Sequence, residues 1–165
     1  MSFWRHTRSI ALLPGVVLGI VPGALLLLSG GANVGWGLSG PIRVLPPLLG
    51  GGLIIAGLGL LGWTVALFAS AGRGTLAPWD PTRQLVVRGV YRHVRNPMIS
   101  GVATALLGEA ALTGSLPVLA WFFVFLLANV LYIPLVEERG LERRFGEEYV
   151  RYKRNVPRWL PRVRP

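Results

Sequence analysis

Four stretches of this chain carry no charged side chain, at residues 9–42, 44–72, 96–108 and 110–136. No other feature restricts the fold so tightly. At 1.5 Å per residue, about 20 mostly apolar residues cross the roughly 30 Å of bilayer hydrocarbon. Three of the stretches are long enough alone, and residues 96–108 join them if Glu109 is admitted to the membrane. Helices satisfy their own backbone groups in lipid, where an open strand cannot. The pattern therefore predicts an all-α integral membrane protein with about four transmembrane helices, near residues 9–28, 45–71, 97–116 and 117–136. A C-terminal amphipathic cytoplasmic helix is expected after them. The 165 residues read as a single domain.

Composition narrows the classes further. Only 15% of the residues are charged, against about 25% in soluble domains, which argues against a disordered tail and most soluble enzyme folds. These residues include no cysteine, so a thiolate nucleophile, disulfides and Cys-ligated metal are excluded within them. The net charge of +10 would suit nucleic acid, but its placement argues otherwise. Arg5 and Arg8 precede the first span, and Arg43 stands alone in the first loop. Five arginines (73, 83, 88, 92, 95) fill the second loop, and nine basic residues follow the last span. Sixteen of seventeen thus share one side, which the positive-inside rule makes cytoplasmic. Both termini are expected there, in a membrane that the arginine-rich composition suggests is a bacterial inner membrane. The expected partners are membrane lipids and a lipophilic small-molecule or lipid substrate, with no nucleic acid. A cleaved signal sequence is the competing reading of the N-terminus; its apolar core of about 20 residues exceeds the usual 7–15, which favours a retained anchor.

Polar information concentrates in residues 72–98 and 137–161. In the first, Gly72-Arg73-Gly74-Thr75 and Pro78-Trp79-Asp80-Pro81 are turn-rich, and Gln84 to Tyr91 alternates weakly as if extended. Asn96 then reads as an N-cap and Pro97 as the first helical residue. A helix N-terminus beside Arg92 and Arg95 suits an anion; the plainer reading is topology-setting arginine on anionic lipid. In the second, Leu141, Phe145, Tyr149 and Tyr152 recur at four- and three-residue spacing, one apolar stripe on a helix. Glu137-Glu138 does not fit a plain surface helix. Adjacent carboxylates where a span leaves the bilayer repel each other and the headgroups, so the pair suits a bound cation. Glu109 is an ionisable group inside a span, which reads as functional or as a protonated, hydrogen-bonded group. His93 has only His6 as a second histidine, so no metal site is expected. The glycines at 50, 51, 52, 57, 59 and 62 suit close helix packing.

The run Gly89-Val90-Tyr91-Arg92-His93-Val94-Arg95-Asn96-Pro97-Met98 resembles the loop signature of the isoprenylcysteine carboxyl methyltransferase and phospholipid methyltransferase superfamily. Glu137-Glu138, Leu141, Phe145-Gly146-Glu147-Glu148-Tyr149 and Tyr152, extended by Val156-Pro157-Arg158-Trp159-Leu160-Pro161, resemble its C-terminal signature. The resemblance covers roughly residues 72–161. It implies S-adenosylmethionine as methyl donor, held by Tyr91, Val94, Arg95, Asn96, Pro97, Met98 and Gly101 and closed over by Glu137 and Glu138. Arg95 and Glu138 are read as catalytic; the family pattern does not separate Glu137 from Glu138, and Glu138 is the choice for direct contact with the donor, with Arg92, Ile99 and Glu109 set toward the acceptor. Many members carry tyrosine two positions after the proline; this chain has Ile99, which leaves the acceptor class open. Carboxyl O-methylation of the isoprenylcysteine type is the leading expectation. Methylation of a phospholipid or another amine or thiol is the alternative, and a non-enzymatic membrane scaffold is the rival outside enzymes.

Overall fold

The computed structural model describes residues 13–71 and 85–162. Among these residues the chain is helical, without a strand. Helix α1 covers Leu13–Leu28. It is followed by α2 (Leu45–Ala71), α3 (Pro97–Thr113), α4 (Leu116–Tyr132), α5 (Glu138–Phe145) and α6 (Glu147–Asn155). Two helices, Gly40–Leu67 and Leu116–Phe145, are long and apolar enough to cross a membrane. Their large side chains face outward: Ile55 is 76% and Leu127 61% exposed, as a lipid-facing surface requires. α1 and α3 are apolar but shorter. α3 stops after 17 residues because Gly114 takes a left-handed φ of 63°. A Cβ at that position would collide with the Asn33 carbonyl oxygen.

α2 and α3 meet backbone to backbone. A Cβ on Gly57 would lie 2.5 Å from the Gly101 oxygen and the Ala105 nitrogen, and one on Gly50 2.6 Å from the Gly108 oxygen. The two contacts are two helical turns apart on each helix, so the antiparallel pair closes along one stripe of small residues. Thr64 continues that stripe and is fully buried, its hydroxyl satisfied by donating to the Leu61 carbonyl at 2.7 Å. Gly51, Gly52, Gly59 and Gly62 face open space, so only two of the six expected packing glycines make this contact.

α1 is fastened to α4 through a defect in its own ladder. Within the π-helical turn Val16–Ile20, the Val21 N–H reaches back to the Val16 oxygen. Pro22 has no N–H, which leaves the Val17 carbonyl open to the Trp121 indole, which donates to it at 3.1 Å. Leu106, Ala110 and Val118 form the buried core there, with Val17, Leu18, Leu25 and Leu26 packed on it.

Two expectations change at the end of the helices where the charged residues gather. The alternating run from Gln84 gives no regular strand in its described part, residues 85–88, and Gly89–Arg92 is a 3₁₀ turn; Gln84 and the turn-rich residues 72–83 lie outside the described residues. The apolar stripe of the tail is split at Gly146, whose φ of 55° and ψ of −132° only glycine readily adopts. It folds back as α5 and α6 and packs Tyr149, Tyr152 and Val156 against Leu85 and Val87. The stripe is therefore used against protein rather than as one helix lying on lipid.

Candidate functional site

The tail is strapped across the loop before α3. The Arg95 N–H donates to the Pro157 oxygen at 2.9 Å, and the Arg162 N–H to the His93 oxygen at 2.9 Å. His93 Nδ1 meets the Arg162 carbonyl at 2.7 Å, so that nitrogen carries the proton. The Tyr152 hydroxyl donates to the Tyr91 carbonyl at 2.8 Å. Asn96 holds the position before Pro97, yet its side chain does not cap the helix; its amide donates to the Arg158 oxygen at 3.4 Å. The strap brings two signatures 39 residues apart in sequence, counted from Met98 to Glu137, into one place.

At its centre is Glu138, only 2% exposed. Its Oε1 accepts from Arg95 Nη1 and Arg158 Nε, each at 2.8 Å, and its Oε2 accepts from Arg158 Nη2 at 3.0 Å. Lys153 Nζ stands 3.5 Å from Oε2 and 2.7 Å from Glu142. Burial alone would push the Glu138 carboxyl up; the Arg158 hydrogen bond and the charges of Arg95, Arg158 and Lys153 more than reverse that and hold it below the usual range. Glu137 differs in every respect. It is exposed along a cavity wall, and the surrounding protein, then the charge of Glu138, pushes its carboxyl up.

Local helix geometry separates the two glutamates. Residues Ile133–Glu137 form a π-helical turn in which the Glu138 N–H bonds the Ile133 oxygen. Pro134 supplies no N–H, so the α-helical ladder cannot close there. Such widened turns recur at functional sites. Here the turn precedes two consecutive carboxylates that meet different surroundings, one cavity and one cluster of cations.

The cavity has a volume of about 810 Å³, within the roughly 300–1,000 Å³ of small-molecule sites. Of the residues singled out from sequence, Tyr91, Arg95, Asn96, Met98, Ile99, Glu137 and Glu138 line it. Val94, Pro97, Gly101, Arg92 and Glu109 do not. Val94 and Pro97 are buried and Gly101 is the contact of α3 with Gly57. Arg92 is exposed. Glu109 has a buried Oε2 without a hydrogen-bond partner among the described residues, and so has the Arg95 side chain at Nε. Burial is the main cause that raises the phenols of Tyr91, Tyr149 and Tyr152, the second to about 12; all three stay neutral near pH 7. Leu61, Val65, Val102 and Phe125 supply an apolar wall.

Sequence reasoning passed over Asn129, Tyr132, Arg144 and Tyr149 as cavity residues and Arg158 as the partner of Glu138. Asn129 had a signal, being the one amide side chain within residues 116–136. Arg158 stood in the C-terminal signature without any mark of its partner.

A membrane-associated chain, helical among the described residues, with a charged network at one end of an apolar-walled cavity defines a class. Residues 45–148 match the phospholipid methyltransferase family, and the chain belongs to it. The match spans the loop signature, the first part of the C-terminal signature as far as Glu148, and the helices between them. Over 130 residues the chain is 32% identical to the methanethiol S-methyltransferase 2 of Bradyrhizobium diazoefficiens, an alignment covering 67% of this chain and 46% of that protein. The chain thus matches about half the length of this curated relative. No solved structure matches.

Proposed function

We propose that the chain is a membrane methyltransferase that uses S-adenosylmethionine and methylates a lipophilic acceptor, with a thiol as the leading nucleophile. One observation carries the reading. A single cavity is lined by the Arg95 guanidinium, by an accessible carboxylate at Glu137 and by an apolar wall. Those features fit a donor that bears a carboxylate, an ammonium and a sulfonium beside an apolar acceptor. When bound, the donor supplies a methyl group on a sulfonium that departs as a neutral thioether.

The chain's own residues bind and orient. Arg95 pairs with the donor's carboxylate, and Glu138 with Arg158 holds the Arg95 guanidinium in place. Glu137 meets the ammonium or the ribose hydroxyls. Direct donor contact thereby moves from Glu138, both of whose oxygens are engaged, to its neighbour. Tyr91, Asn96 and Met98 line the donor's end; Ile99 and Val102 line the acceptor's. Val94 and Pro97 support the loop from behind, and Gly101 sets the α2–α3 distance. Alignment in a site that excludes water is the main catalytic contribution.

The relative's name is that of a thiol methyltransferase and the family's that of a phospholipid methyltransferase, and neither supports isoprenylcysteine carboxyl O-methylation over other acceptors. α1 and α3 complete a four-span bundle with α2 and α4, both termini cytoplasmic, as the basic residues suggest. The test is methyl transfer from radiolabelled S-adenosylmethionine by purified protein in nanodiscs, offered an alkanethiol, an aminophospholipid and a prenylated thio-acid. Label in the thiol fraction first is the expected result. Label in none of the three, with donor binding absent as well, removes the enzymatic reading.

A further inference from the structure

Asn129 lines the acceptor end of the cavity and is used by neither the charged network nor the donor reading. Phe125, Asn129, Ile133 and Glu137 succeed one another at four-residue spacing on the helix Leu116–Phe145, and all four line the cavity. Asn129 precedes Glu137 by eight residues, so it lies about 12 Å further along the axis, on the membrane side. It is half-buried. Its Nδ2 donates to the Phe125 carbonyl one turn back at 2.8 Å. That bond fixes which amide atom is the donor and leaves Oδ1 as the acceptor, with no partner among the described residues. The oxygen keeps accessible surface on a side chain that lines the cavity, so a bound acceptor can reach it.

We infer that Asn129 selects the methyl acceptor by accepting a hydrogen bond from the acceptor's nucleophilic head. The inference rests on the reading of this cavity as the acceptor site. An amide oxygen with an apolar surround favours a neutral head that carries a proton, an S–H, O–H or unprotonated N–H, on an apolar tail. It disfavours an ionised carboxylate, which has no proton to give and presents oxygen to oxygen. The same contact distinguishes substrate from product. Methylation of an S–H or O–H forms the new S–C or O–C bond as the donor's sulfonium–methyl bond breaks to a neutral thioether, and the bonded proton is released to solvent at the open end of the cavity beside exposed Glu137. The product therefore leaves Oδ1 unsatisfied and is held more weakly. Asn129 thereby acts on acceptor recognition and not on the donor.

The test uses unreactive binding probes whose head oxygen carries either a proton or a methyl group: 1-decanol and its methyl ether. Each is added to the full chain in nanodiscs, and the bilayer mole fractions giving the same rise in Tm are compared. The parent should prefer the alcohol by roughly 2- to 12-fold, the range set by one net hydrogen bond. Asn129→Leu, close in volume, should bring the ratio to about one while calorimetric affinity for S-adenosylmethionine stays at the parent value. Asn129→Gln, which keeps an amide oxygen, should restore part of the preference. A parent that binds both probes equally or neither, or a leucine variant with the parent's preference, overturns the inference. Because the parent comparison needs no variant, poor folding of Asn129→Leu leaves it decisive. Absence of donor binding with the alcohol preference intact would instead count against the methyltransferase reading alone.

Discussion

Exchanging each of the adjacent glutamates for glutamine should separate a structural carboxylate from a ligand-binding one. Glu138→Gln removes the negative charge that faces three cations. Two of them keep contact with water, since the side chains of Arg158 and Lys153 are 30% and 39% exposed. Their losses are discounted accordingly. Arg95 is different: its side chain is 9% exposed, and its nearest counter-charge is Glu138. Removing one partner of a buried pair costs about 3–5 kcal/mol, and with one strongly buried cation the lower end applies, about 3 kcal/mol. Glu137→Gln removes an exposed charge that repels Glu138, so unfolding should be unchanged or slightly harder at neutral pH. Its effect should appear in binding. A hydrogen bond to a charged group contributes roughly 1.5–3 kcal/mol, or about 10- to 150-fold in affinity for S-adenosylmethionine. The assay pairs denaturant unfolding in a fixed detergent with calorimetric donor titration of the same preparations. The reasoning fails if Glu138→Gln leaves stability at the parent value, or if Glu137→Gln binds the donor as tightly as the parent.

Four further outcomes follow from the packing and the placement of charge. Gly57→Ala and Gly108→Ala should each destabilise by about 1–3 kcal/mol, because their Cβ atoms would lie 2.5 and 2.7 Å from the backbone of the facing helix; Gly59→Ala, with nothing within 4 Å, should be neutral or mildly stabilising, and equal melting of all three would remove the small-residue stripe as an explanation. Donor affinity should fall as pH drops through a midpoint above the ordinary glutamate value of about 4.3, since the raised Glu137 carboxyl loses its charge there, and the transition should vanish in Glu137→Gln. Glu138 has the opposite sign: held low by its cations, it contributes stability above the ordinary glutamate value that is lost only as pH falls through its depressed one, so acid unfolding of the parent should be shifted in Glu138→Gln. Reporter fusions at Asn33 and after Arg162 should give opposite signals; the same signal from both would reject the proposed orientation.

Much of the architecture was legible in the residues in order. Runs without charge must become helices if they enter lipid, because only a helix bonds its backbone internally, and α2 and α4 follow from that alone. The hairpin at Gly114 and the helix start at Pro97 were likewise readable, since glycine and proline constrain the backbone locally. The two signatures pointed to a shared site because each stands at a helix end on the basic side. What the linear order left open was the environment of each side chain. Glu137 and Glu138 are neighbours of identical type, and no local rule says which meets the cations. That depends on the π turn at Pro134 and on Arg158, which returns from 20 residues further on. Gly101, Val94 and Pro97 were expected at the donor, but none of them lines the cavity: Val94 and Pro97 are buried, and Gly101 meets Gly57 of α2. The tail stripe broke at Gly146 and turned onto Leu85 and Val87 because an apolar face buries equally well against protein or lipid, and only the fold supplies the nearer partner. Asn129 came to line the cavity for the same reason. Helix formation is a property of the local backbone, whereas the charge, burial and neighbours of a side chain are set by elements distant in sequence and known only once they have packed.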